Sequence, residues 1–264
     1  MSESLQISRD GRVLHLALNR PEKCNALNLD LCGALAAAFE QAETDPAVGA
    51  VLLSGNGKSF CAGMDLHEVL SRESGPINDV HERIFTAGIR MTKPLIAAVR
   101  GAALAGGTGL AANCHIVLAA DDATFGLTEI RLGLWPFVIL RVVAAAVGER
   151  CATELALTGR IFGAMEARDF GLVHQVVEAA GLMDRARELA GGIAQSSPTA
   201  IRAGLEFVRD TRAKTWEEVG ALARRMRNEV FRSADFEEGI RAFQEKRRPQ
   251  WPSLVIQHIG GTFK

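Results

Sequence analysis

The sequence predicts an α/β core followed by an all-helical tail, and three observations carry that expectation. Short apolar runs alternate with helical spacings from the N-terminus to about residue 177. From residue 179 onward only helical patterns remain: RELAGGIAQ, a segment opening at Ser197-Pro198, EEVGALARRMRNEVF and DFEEGIRAFQEKRRP. The length, 264 residues, suits one substantial core with an appendage. The expected division is a core over 1–195 and a helical region over 196–264.

Each element has a local reason. LQISRDGRVLHLALN alternates around Asp10-Gly11 and reads as a β-hairpin, ended by Pro21. Leu29 to Glu43 has helical spacing through Leu31, Leu35 and Phe39 and stops near Asp45-Pro46. AVLLS (50–54) reads as a buried strand, and SGNGKSFCAGMDL (54–66) as a glycine-punctuated loop running into a helix. Asn78 to Met91 reads as one helix. PLIAAV (94–99) and HIVLAA (115–120) are further buried strands, and ALAGGTGLAA (103–112) between them is a turn and a helix start.

Composition narrows the function classes. With 48% hydrophobic residues, 23% charged and a net charge of −1, nothing points to nucleic acid or an anionic membrane surface. Taken alone, Lys246-Arg247-Arg248 is a solvated helix end. Five scattered cysteines, odd in number and without C-x-x-C, argue against disulfides and a zinc site and for a reducing cytoplasm. The N-terminus lacks an apolar signal core. Residues 101–120 carry no Asp, Glu, Lys or Arg, but they are Gly/Ala-rich and hold Asn113 and His115, so they read as buried in protein, not lipid.

The small-residue stretch admits three readings. Gly107, Gly109 and Ala112 formally fit a dinucleotide-binding turn, but Asp121 and Asp122 come too early for the companion acid and no βαβ unit opens the chain. Close packing alone is the second. The third pairs it with Ser59–Leu66, which also exposes backbone ahead of a helix. Two such loops would aim two N–H groups at one spot, as an oxyanion hole requires.

SFCAGMDL, VRGAALAGGTGLAANCHIVLAADDATFGLTEIRLGL, GIRAFQEKRRPQW and the earlier NRPEKCNALN resemble, in order and over nearly the whole chain, the crotonase family of enoyl-CoA hydratases and isomerases. The resemblance implies a spiral of ββα units with a C-terminal helical trimerisation region. It implies an acyl-CoA substrate, no cofactor beyond the coenzyme A of that substrate, no metal, a homotrimer or dimer of trimers, and neither nucleic-acid nor membrane partners. By position, the amides of Met64 and Gly106 would hold the thioester oxygen as it becomes an enolate. Coenzyme A would lie along Lys23, Cys24, Ala26, Ala62, Asp65 and Leu66, with Gly107 and Gly109 in the second turn. Phe243 and Lys246 resemble the family's aromatic and lysine that meet adenine and phosphates, often across a subunit boundary. Fixed donors on that oxygen stabilise the transition state more than the ground state.

The sequence also departs from the family pattern. Hydratases use two glutamates; Phe125-Gly126-Leu127-Thr128-Glu129 supplies the second, while Gly109 stands where the first would be. Glu129 is therefore the expected acid/base, with a pKa raised by an apolar pocket. Trp135 and Phe137 predict a narrower or more apolar acyl pocket. His115, where an Asp usually follows Cys, reads as structural; Asp65 reads as a cap or orienting group; His67 and His81 have no nameable partner. One base suits moving a double bond, whereas syn-hydration wants a second group. The mitochondrial-type enoyl-CoA isomerases are similar in keeping only the second glutamate and in a P-F pair after a glycine turn. Hydroxycinnamoyl-CoA hydratase-lyases share the AGMDL loop but depend on a tyrosine, and this chain has none. Single-glutamate hydration and a non-catalytic acyl-CoA-binding protein stay open.

Overall fold

A computed structural model describes residues 3–71 and 75–254. Strands β1 (Leu5–Asp10) and β2 (Val13–Leu18) pair antiparallel about Gly11, whose φ of +53° suits the tight turn. Helix α1 (Leu29–Thr44) starts at Asn28, whose side chain accepts from Leu31 N. It is followed by β3 (Ala50–Gly55), α2 (Leu66–Ser71), α3 (Gly75–Phe85), α4 (Ala87–Arg90) and β4 (Leu95–Val99). Next come β5 (Ala102–Leu104), α5 (Gly106–Asn113), β6 (Ile116–Ala120) and β7 (Thr124–Gly126). The core closes with α6 (Phe137–Val147), α7 (Glu149–Thr158), β8 (Ile161–Gly163), α8 (Ala164–Asp169), β9 (Gln175–Val177) and α9 (Leu182–Ala194). Helices α10 (Pro198–Asp210), α11 (Trp216–Phe231) and α12 (Ala234–Gln244) form the tail.

Six strands make one sheet in the order β1-β2-β3-β4-β6-β9, parallel from β2 onward, and β5-β7-β8 make a second. The chain thus leaves the large sheet twice for the small one, β4 to β5 and β6 to β7, and each visit ends in a helical turn. This is the expected spiral. The period-2 strand pattern divides the core. Ala50, Leu52, Ile96, Ala98 and Leu118 face Leu182, Ala186, Ala190 and Ala194 of α9, whose small side chains let the helix lie close to the sheet. Val51, Leu53, Leu95, Ala97 and Val99 face the core on the other side.

One reading is corrected. Residues 78–91 do not form a single helix: α3 ends at Phe85 and α4 starts at Ala87. The cause is Asn113, buried in α5. Its amide donates to Ile84 O at 2.9 Å and its oxygen accepts from Gly88 N at 3.1 Å. Those two groups would otherwise bond each other in a continuous helix.

Among the described residues no helix is long and apolar enough to cross a membrane. The five cysteines are free thiols.

Burial sets a pH dependence. His15, whose Nε2 lies 2.8 Å from Ser54 Oγ, and His115, whose Nδ1 accepts from Leu95 N, are held below the usual histidine range by desolvation, as is His81. The unfolded chain takes up these protons as pH falls below about 6.5, whereas the folded chain resists them. Asp235 acts in the same direction at lower pH, since hydrogen bonds from Ser197 and Ser253 outweigh the effect of burial and hold it below the carboxylate range. Glu129, raised by burial, opposes the trend alone among these groups. The urea midpoint is expected to be lower at pH 5.5 than at pH 7.5; an equal or higher midpoint at pH 5.5 would contradict the assignment.

Candidate active site

The first glycine loop is built on a buried asparagine. Asn25 Oδ1 accepts from Arg20 N at 2.8 Å, and Nδ2 donates to Asn56 O at 2.9 Å and Ser59 O at 2.8 Å. This pins residues 20–28 to the loop after β3. Ala62 N then donates to Cys24 O, Leu27 N to Gly63 O at 2.7 Å, and Asp65 N to Leu27 O at 3.0 Å. In this parallel bridge between Leu27 and Met64 the flanking residues do the bonding, so the N–H of Met64 faces the other way. Asp65 accepts from Arg20 Nη2 at 2.9 Å and caps the start of α2. Burial alone would raise its pKa, but Arg20 together with the backbone N–H groups of His67 and Glu68 outweighs this and holds the carboxyl below its ordinary value.

The second turn touches the first. Cys61 bridges Ala103, with Cys61 N donating to Ala102 O and Leu104 N to Cys61 O. Ala105 then takes φ +49° and ψ −118°, a conformation costly for any residue with a Cβ, and its N–H donates to Gly126 O at 2.7 Å. It caps α5, so Gly106 supplies the first amide of that helix, where backbone donors lack intrahelical acceptors and the helix dipole is positive. Neither Met64 N nor Gly106 N donates to a backbone group among the described residues. The glycines are there because backbone meets backbone. A Cβ on Gly107 would lie 2.1 Å from Cys61 O, and one on Gly63 would lie 2.9 Å from Ala105 Cβ and 3.3 Å from Gly106 N.

Glu129 hangs from the same scaffold. Thr108 Oγ1 donates to Ala103 O at 2.6 Å and accepts from Gly126 N at 3.1 Å, tying α5 to the end of β7. The chain then enters a 3-10 turn, Thr128–Leu132, closed by Gly133 at φ +72°. Glu129 is buried and its Oε2 has no hydrogen-bond partner. Desolvation raises its pKa. The other buried acids among the described residues are committed elsewhere: Asp235 to Ser197 and Ser253, and Glu238 to Arg247 through both oxygens.

Gly109 has no room for a carboxylate. A Cβ there would sit 2.3 Å from Ile139 Cγ2 and 3.3 Å from Phe85 Cε1. Two hydrocarbon side chains, from α6 and α3, occupy the space a side chain at Gly109 would need.

The structure thus gathers Lys23, Cys24, Ala26, Ala62, Met64, Asp65, Leu66, Gly106 and Gly107 around one stitched pair of loops, with Gly109 one helical turn deeper. Lys23, Cys24, Ala62 and Leu66 are exposed along this surface. Trp135 packs against the main core. Phe137 opens α6 and is 75% exposed in the single chain. Phe243, at the exposed end of α12, and Lys246, in the turn just beyond it, lie outside this hydrogen-bond network. Asn25, Thr108, Phe85 and Ile139 were not evident from sequence; only the short spacing of Asn25 from Pro21 hinted at a turn-stabilising side chain.

Solved enoyl-CoA hydratases share this fold over nearly their whole length. The enzyme from Bacillus anthracis superposes with a TM-score of 0.89 at 31% identity, covering 95% of this chain and 99% of that one. That from Mycobacterium tuberculosis H37Rv gives 0.86 at 34% identity, over 96% and 100%. This defines the class as the crotonase fold. Residues 8–254 match the enoyl-CoA hydratase/isomerase family, and the chain belongs to that family. Curated relatives include the mevalonyl-coenzyme A hydratase of Aspergillus fumigatus, 37% identical over 90% of this chain and 91% of that protein. The 2,3-dehydroadipyl-CoA hydratase of Escherichia coli is 36% identical over 95% and 99%. The protein is an enzyme of this family acting on acyl-CoA.

Proposed function

We propose that the enzyme moves the double bond of an enoyl-CoA from the 3,4 to the 2,3 position through a thioester enolate, with Glu129 as the single proton carrier. The observation that carries this reading is the filling of the Gly109 position by Ile139 and Phe85, which leaves buried Glu129, with its unpartnered Oε2, as the candidate carboxyl. Glu129 takes the proton from C2, and the electron pair moves onto the thioester oxygen. The N–H groups of Met64 and Gly106 hold that oxygen as charge develops. The enolate collapses, the double bond shifts to C2–C3, and the same carboxylic acid returns the proton at C4. Loss of one such amide donor typically costs roughly 3 kcal/mol of transition-state stabilisation.

The names of the relatives favour a second reading, hydration of a 2-enoyl-CoA, in which a second group must hold the water. Separate incubations decide between them. Isomerisation predicts conversion of 3-enoyl-CoA to conjugated 2-enoyl-CoA, with hydration of 2-enoyl-CoA slower by at least about tenfold. Faster hydration that survives Glu129→Gln would overturn the reading.

The helical region 196–264 we assign to a homotrimer contact, or to a dimer of trimers. Helix α10 is amphipathic, yet none of its residues is buried in the single chain, and Val208 is 56% exposed. Exposed apolar groups on α11 and α12, Phe231 and Ile240, support the same assignment.

A further inference from the structure

His81 is one of two described residues with a buried side-chain polar atom that lacks a hydrogen-bond partner, and Glu129 is the other. Its side chain sits on α3 at 6% exposure, and Nε2 has no partner. The contrast with the other shielded imidazoles is sharp. His15 meets Ser54, and His115 Nδ1 accepts from Leu95 N. A ring serving only as packing would be better replaced by hydrocarbon, because a buried, unpaired polar group costs stability.

Its position says what it is for. His81 and Phe85 are one turn apart on the same face of α3, ring centroids 5.6 Å apart. Phe85 Cζ lies 3.2 Å from the Cβ position of Gly106, and Cε1 lies 3.3 Å from that of Gly109. Phe85 therefore borders the first turn of α5, and the imidazole backs onto Phe85, one ring away from the amide of Gly106. Burial holds the ring neutral, and Glu68 is the charged group that acts on it. A neutral ring beside a carboxylate suits a neutral hydroxyl and disfavours a second carboxylate.

We infer that His81 hydrogen-bonds a hydroxyl group on the acyl chain, so that the preferred substrates are hydroxylated acyl-CoA thioesters and not plain alkyl ones. This rests on the proposed placing of the thioester oxygen at Gly106, but not on the reaction assigned to Glu129.

Equilibrium binding to the Glu129→Gln protein tests it, with butyryl-CoA, 3-hydroxybutyryl-CoA and 4-hydroxybutyryl-CoA as probes. At least one hydroxylated thioester should bind about tenfold to a hundredfold more tightly than butyryl-CoA. Adding His81→Phe, which keeps a ring against Phe85, should remove that preference, and His81→Asn should retain part of it. Equal affinity for the three thioesters overturns the inference even if the phenylalanine variant cannot be recovered. A preference that survives His81→Phe overturns it as well. Turnover persisting in the Glu129→Gln background counts against the proposed reaction and leaves the His81 comparison intact.

Discussion

Glu129→Gln is expected to lower kcat by about 10²- to 10⁴-fold on whichever acyl-CoA the enzyme turns over, with KM little changed. The amide side chain keeps the shape of the carboxyl and most of its packing in the 3-10 turn, so the loss is chemical. Neither Met64 N nor Gly106 N depends on this residue, because their loops are held by the backbone bonds of neighbouring residues: Leu27 N to Gly63 O, Asp65 N to Leu27 O and Ala105 N to Gly126 O. Binding of the thioester therefore persists and proton transfer fails. The pH profile gives a second reading of the same group. As a base Glu129 must be ionised, and desolvation raises its pKa above the ordinary 4.5. The acid limb of kcat/KM should lie above the usual glutamate range and vanish in the variant. A variant with nearly full kcat, or an acid limb at the ordinary value, would remove Glu129 from the reaction.

Gly109→Glu is expected to destabilise the protein without producing a hydratase. Its Cβ would overlap Ile139 Cγ2, and overpacking of this kind costs typically 1–3 kcal/mol. Ile139→Ala alone removes buried methyl groups, at about 2–5 kcal/mol. Combined, the two should cost less than their sum, since the truncated side chain makes way for the new one. In the double variant a second carboxylate would stand one helical turn from Gly106. Hydration of 2-enoyl-CoA, followed by loss of the enoyl thioester absorbance, should then appear where each single variant shows none. Thermal melts of the four proteins measure the coupling. Additive destabilisation with no gain of hydration would show that Ile139 is not what closes the position.

Much of the fold around this site was legible in the sequence. The hairpin, the helix from Leu29, the strands at 50–54, 94–99 and 115–120, and the two glycine loops follow from local chemistry. The distance from Phe125-Gly126 to Glu129 is equally local. What escaped was decided by contacts between residues far apart in sequence. Strands β5, β7 and β8 have three residues each, too few for any periodicity to declare itself. The break between α3 and α4 is imposed by Asn113, twenty-nine residues from the carbonyl it captures. That Ile139 fills the space beside Gly109 depends on how α6 crosses α5, and no motif around Gly109 announces it.

The hydrogen bond from Ala105 N to Gly126 O and the two made by Thr108 join the Gly106 amide and Glu129, the proposed donor and base, to a single short ribbon of sheet. Thermal breathing of that ribbon displaces donor and base as a unit, so the spacing between the oxygen that gains charge and the carbon that surrenders its proton survives motions that would blur a site assembled from independent loops.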